Sequence, residues 1–193
     1  TDEWIQVDGI STSNNFDWQS DAQSVSTWFS SSITASQCLW SFGHNSQQHS
    51  KHTLTIVGSS SMSGPRVTLW GSRNTLGTGL FGKNDATSSP NGATSYIWVN
   101  DTDTGGINPT DGGWHHIVST FSGSASTAKA VNLYINGTHV AFSKSRSSTF
   151  SPDDFAIGVE SIDNHAADKQ SNFFSGTIAQ MSFYTSSITG ADV

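Results

Sequence analysis

Glutamate is nearly missing from this sequence: 193 residues contain two, Glu3 and Glu160. Charged residues of all kinds reach only 12%, about half the ordinary share. Helix surfaces are normally clothed in Glu, Lys, Arg and Ala. Five Lys and three Arg beside two Glu cannot clothe a helical bundle, so that class is excluded. The eight basic residues are scattered, and the formal net charge is -7. A protein that tracks nucleic-acid phosphates needs clustered Lys and Arg, so nucleic acid is excluded as a partner. No run approaches the 18 or so apolar residues of a membrane-spanning helix, which argues against membrane insertion. A single cysteine, Cys38, leaves no internal disulfide. It sits in the alternating stretch Gln37-Cys38-Leu39-Trp40-Ser41-Phe42, where a free thiol behaves as a small buried hydrophobe. The opening Thr1-Asp2-Glu3 has no leader pattern, as expected of a mature or excised domain.

What fills the space is hydroxyl: 35 Ser and 21 Thr, with 18 Gly and only 4 Pro. Short alternating segments are separated by Gly, Ser, Asn and Asp clusters, the pattern of an all-β sandwich. It predicts strands over 4–8, 24–29, 38–42, 53–58, 66–70, 95–99, 114–121, 131–135, 139–142, 155–158 and 176–184. Within 131–135, Val131, Leu133 and Ile135 face one way and Asn132 and Tyr134 the other. Asn136-Gly137 tolerates the positive φ of a type I′ turn and predicts a hairpin. Three long irregular pieces, 71–94, 100–113 and 161–172, read as loops gathered at the rim. There is no internal repeat and no linker, so the reading is one domain over residues 1–193.

Three motifs carry a family resemblance. Asp111-Gly112-Gly113-Trp114-His115-His116-Ile117-Val118 is a turn running into a Trp-His-His strand. Val131-Asn132-Leu133-Tyr134-Ile135-Asn136-Gly137 is a hairpin arm, and Phe174-Ser175-Gly176-Thr177-Ile178-Ala179-Gln180-Met181-Ser182-Phe183-Tyr184 a closing strand. With Ser24-Val25-Ser26-Thr27-Trp28-Phe29 upstream, they resemble the laminin-G-like, concanavalin A-like lectin and glucanase jelly rolls. The resemblance implies a two-sheet antiparallel jelly-roll sandwich. Trp28, Trp114, Ile117, Leu133 and Ile178 are expected in its core, with His115 and His116 as hydrogen-bonded strand residues. Where relatives often carry Asp after the closing strand's Ile, this chain has Ala179-Gln180.

The superfamily it resembles includes glucanases and polysaccharide lyases, whose catalytic patterns this sequence does not carry. Glycoside hydrolysis usually needs two held carboxylates, and the related Glu-x-Asp-x-Glu strand does not occur. Asp101 and Asp103 are two apart, but in a Gly-rich loop. Gln47 and His49 stand as Gln-x-His among Ser and Asn, without an Arg-rich partner strand. Gly-x-Ser-x-Gly and His-Glu-x-x-His are absent. The expectation is a chain that is not an enzyme.

Binding chemistry is better supplied. Sugars are held by aromatic platforms with planar polar side chains beside them. Trp70 alternates with Val67 and Leu69 and is followed by Arg73 and Asn74. Trp98 alternates with Ile97 and Val99 in the same way. Trp70, Arg73, Asn74 and Trp98 are therefore the candidate ligand-binding residues. The leading reading is a non-catalytic, lectin-like carbohydrate-binding module, excised from a larger extracellular or cell-surface protein whose other domains are partners. The alternatives are an adhesion or receptor-binding domain that recognises a protein surface on a fibre, a matrix or a virus, and a polysaccharide-cleaving enzyme.

Calcium takes oxygen ligands from carboxylates, Asn and backbone. Asp101, Asp103, Asp163 and Asn164 lie in loops rich in such groups, and the resemblance adds weight because many relatives carry a rim calcium. The rival explanation is that short Asp side chains stabilise turns. A metal bound only by the folded state, at a hundredfold excess over its Kd, adds about 2.7 kcal/mol. Calcium should therefore raise the melting temperature, and the double substitution Asp101→Ala, Asp103→Ala should remove that rise while leaving metal-free stability unchanged. A melting temperature indifferent to both calcium and chelator would contradict the metal assignment.

Overall fold

The computed structural model describes residues 5–8, 22–43, 51–57, 66–73, 78–79, 95–100, 107–121, 131–143, 154–161, 170–186, 188 and 193. Every regular element among them is a strand. They are β1 (Ile5–Asp8), β2 (Gln23–Ser30), β3 (Gln37–Gly43), β4 (Lys51–Val57), β5 (Arg66–Arg73), β6 (Thr78–Gly79) and β7 (Ser95–Asn100). There follow β8 (Trp114–Phe121), β9 (Val131–Ile135), β10 (Thr138–Ser143), β11 (Asp154–Ile157), β12 (Glu160–Ser161), β13 (Gln170–Ser171) and β14 (Thr177–Tyr184). Each predicted strand has its counterpart within a few residues. The two-residue strands β6, β12 and β13 are too short to leave a period.

The strands form a five-stranded sheet, ordered β10-β9-β8-β2-β14, a seven-stranded sheet, ordered β1-β11-β3-β4-β5-β6 with β7 also on β5, and a separate β12-β13 pair. All the pairings are antiparallel. The expected jelly-roll sandwich is the fold observed. Asn136 (φ 49) and Gly137 (φ 78) make the predicted hairpin between β9 and β10.

The core lies between the sheets. The smaller sheet contributes Val25, Phe29, Ile117, Phe121, Leu133 and Ile135; the larger contributes Trp40, Phe42, Leu54, Ile56, Val67 and Phe155. A fully buried side chain of this kind is worth about 1.5–3 kcal/mol. Phe42 and Phe155 pack with ring centroids 4.4 Å apart. Phe183 of β14 meets Phe155 edge-on at 4.7 Å and so ties the two sheets together. Cys38 is buried, as expected, and its thiol donates to the Trp40 carbonyl at 3.2 Å. Gln37 links three segments: its Oε1 accepts from the Ser175 N–H at 3.0 Å, and its Nε2 donates to the Ile33 carbonyl at 2.6 Å.

Two core expectations are overturned. Trp28 is 40% exposed and Trp114 51%. The cause is the two-residue period of a strand. Val25 and Phe29 of β2, and Ile117 and Phe121 of β8, all enter the core. Trp28 lies one residue from Phe29, and Trp114 is three residues, an odd number, from Ile117. Both must therefore take the opposite face. Ile117 and Leu133 are buried as expected, and Ile178 is partly buried against the core.

Adjacent residues should thus respond differently to truncation. Phe29→Ala should cost about 3–5 kcal/mol in chemical denaturation, the usual price of emptying a buried aromatic site. Trp28→Ala should cost clearly less and leave the domain folded. Equal losses would contradict the assignment of faces. Gly176→Ala should also destabilise, because a Cβ there would run into the Ser30 carbonyl and the Phe174 ring.

Candidate functional site

The outward face of the five-stranded sheet is open at one end and closed at the other. After β14 the chain turns back, and Ser24 Oγ donates to the Ser186 carbonyl and accepts from the Ile188 N–H, each at 2.9 Å. Ser24, Val118 and Thr120 are buried although they alternate with core residues. At the other end, register aligns Trp28 with His116 on one side and Gln180 on the other. Trp114 stands opposite Ser30, diagonal to Trp28, a relation of about 7–8 Å between antiparallel strands. The His116 ring stacks on Trp28 with centroids 4.7 Å apart and planes 11° from parallel. His116 Nε2 lies 2.7 Å from Ser26 Oγ.

The turn before β8 holds this end in shape. Thr110 donates from its N–H and its hydroxyl to Asn108 Oδ1, both at 2.9 Å. Gly112, with φ +83, donates its N–H to the Ser31 carbonyl at 3.1 Å. Its own carbonyl accepts from Ser30 Oγ at 2.9 Å. Asp111 Oδ1 accepts from the Gly113 N–H at 2.6 Å and contacts His115 Nε2 at 3.0 Å. His115 Nδ1 lies 3.3 Å from Asn136 Nδ2. A carboxylate only accepts and an amide nitrogen only donates, so the hydrogen is on Nε2 and the Nδ1 lone pair faces Asn136. Asn136 Oδ1 in turn accepts the His116 N–H at 2.9 Å. The two histidines are hydrogen-bonded strand residues, as expected. Asp111 and Asn136, which sequence reasoning read only as turn residues, are the groups that hold them. The signal available was Asp-Gly-Gly followed by a His whose alternation sends it inward.

The expected ligand and metal residues fall elsewhere. Trp70 and Arg73 are on β5 and Trp98 on β7. These strands pair with Trp70 opposite Tyr96 and Trp98 opposite Thr68, so the two tryptophans stand at diagonal register positions. Asn74, Asp101, Asp103, Asp163 and Asn164 lie outside the described residues. Among the described residues no group of three or more His, Cys, Asp or Glu could hold a metal ion. No helix there is long and apolar enough to cross a membrane.

Charge on this end depends on pH in one direction. The Gly113 N–H and then His115 hold the Asp111 carboxyl below the usual carboxylate range. Burial pushes the His116 imidazole below its usual value. For His116 the unfolded chain takes its proton first, at about pH 6.5, so its contribution to stability is present above that pH and declines below it. For Asp111 the contribution is present above the ordinary carboxylate range and is lost as pH falls through the lowered folded value. His116→Gln should therefore reduce the acid-induced loss of stability just below pH 6.5. Asp111→Asn should reduce the loss in the carboxylate range. An NMR titration in which the His116 ring protonates above about 6.5 would contradict the first.

A family model described as the concanavalin A-like lectin/glucanases superfamily matches residues 5–193. No curated protein matches the chain. Among solved structures, the CBM40 of a Ruminococcus gnavus IT-sialidase bound to α2,3-sialyllactose superposes with a TM-score of 0.61 at 12% identity. That match covers 97% of this chain and 95% of the other. A heptameric SAP-like pentraxin from Limulus polyphemus gives 0.54 at 14% identity, covering 89% and 68%. Domains LG4-5 of the mouse laminin α1 chain give 0.57 at 9% identity; the match covers 98% of this chain and 41% of that one. At these identities the likeness is one of fold.

Proposed function

Given that the chain belongs to the concanavalin A-like lectin/glucanases superfamily, we propose that it is a non-catalytic carbohydrate-binding module of an extracellular or cell-surface protein. The observation that carries this reading is the pair of exposed indoles, Trp28 and Trp114, set diagonally at the open end of the five-stranded sheet. Pyranose rings have apolar faces that stack on such rings, while their hydroxyls need neutral donors and acceptors nearby. Gln180 supplies an amide beside the Trp28–His116 pair, and Ser30 and Thr177 supply hydroxyls. The non-catalytic part of the reading is supported by the state of Glu160. It is buried, and its Oε2 accepts from Asn172 Nδ2 at 2.5 Å, a carboxylate held in the structure rather than presented to a ligand.

Trp70 and Trp98 remain a second candidate platform, on the larger sheet. Calorimetry with soluble oligosaccharides separates the two. Trp28→Ala and Trp114→Ala should each weaken binding about tenfold or more, the loss typical of a central aromatic anchor. Trp98→Ala should leave it within about twofold if this site acts alone. Binding lost on Trp98→Ala and untouched by the other two would move the site to the larger sheet. Release of reducing ends or unsaturated products from any polysaccharide would contradict the non-catalytic reading.

A further inference from the structure

Among the described residues, the strands that form the face carrying Trp28 and Trp114 bear no formal charge. Strands β2, β8, β9, β10 and β14 contain not one Asp, Glu, Lys or Arg. The larger sheet differs: β4 carries Lys51, β5 carries Arg66 and Arg73, and β1 and β11 carry Asp8 and Asp154. The nearest formal charge in sequence to the platform is negative. Asp111 stands three residues before Trp114, with half of its side chain exposed.

A carboxylate or sulfate is bound most strongly by a cation, above all the two-pronged guanidinium of Arg. Without one, a buried anionic group loses its water and gains only neutral donors, which repay less of that loss. The groups the platform offers are neutral near pH 7: the indole N–H of each Trp, the His116 imidazole, which burial holds toward its neutral form, the exposed amide of Gln180, and the hydroxyls of Ser30 and Thr177. They suit the hydroxyls and ring oxygens of a neutral sugar.

Resting on the reading above, we infer that the ligand of the Trp28–Trp114 face is an uncharged glycan, a chain of neutral hexose or pentose units, and not an acidic one. This sets the chain apart in ligand class from the sialyllactose-bound structure whose fold it resembles. Binding should draw on stacking and neutral hydrogen bonds, and therefore be nearly independent of salt.

The test titrates the whole chain with cellohexaose, xylohexaose and mannohexaose as neutral probes, and with α2,3-sialyllactose and hexagalacturonate as acidic ones. Each titration is run at about 50 and about 500 mM NaCl, where screening of exposed charges differs strongly. At least one neutral probe should bind, change less than about twofold with salt, and weaken about tenfold in Trp28→Ala or Trp114→Ala. Circular dichroism and the melting temperature check that each variant is folded. An acidic probe that binds in a Trp28-dependent, salt-sensitive way would overturn the neutral assignment and leave the platform standing. Neutral binding untouched by either substitution would overturn the platform itself. Binding of no neutral probe would overturn the inference. Self-association abolished by Trp28→Ala would make the face an interface between copies and overturn both.

Discussion

Phe29 and Ile117 cannot enter the core unless Trp28 and His116 leave it. That constraint comes from the two-residue period of a strand, and the β2–β8 register locks it on both strands at once, pairing Trp28 with His116 and Thr27 with Ile117. A shift by one residue would bury two large polar-edged rings and expose two core side chains. The sandwich therefore cannot form without presenting an indole and an imidazole on its outward face. The putting-out of Trp114 follows from the same strand, two residues before His116.

The exposed end is shaped by a small hydrogen-bond network. Asp111, His115 and Asn136 satisfy one another in sequence, and Asn136 also receives the His116 N–H. It joins the turn before β8 to the hairpin after β9, two segments about twenty residues apart in the chain. The ring of His115 points inward toward Phe29, with centroids 5.7 Å apart, while that of His116 lies outward on Trp28. Neighbouring histidines thus serve opposite sides of one sheet, the first anchoring the turn and the second backing the platform.

Much of this was legible in the residues. The strands could be placed from alternation, and the hairpin from Asn136-Gly137. The family was readable from three spaced motifs. The family motifs, taken as structural, place Trp28 and Trp114 in the core; the period applied strictly from Phe29 and Ile117 puts both outside. Sheet order was not readable. Nothing local in Val67-Thr68-Leu69-Trp70 states that β5 pairs with β7, so the diagonal relation of Trp70 and Trp98 appears only with the register. The closure of the sheet's other end by Ser186 and Ile188 over Ser24 joins residues more than 160 apart, a contact no short pattern encodes.

The function proposed follows from the same arrangement: an uncharged sheet, open at one end, with two indoles and neutral hydrogen-bonding groups around them. Its most direct test is the indole N–H region of an NMR spectrum, where the seven tryptophans give separate signals assignable by substitution. On addition of a neutral oligosaccharide that binds, the signals of Trp28 and Trp114 should shift together while those of Trp40 and Trp98 stay in place. Shifts confined to Trp70 and Trp98, with Trp28 and Trp114 unmoved, would contradict the account.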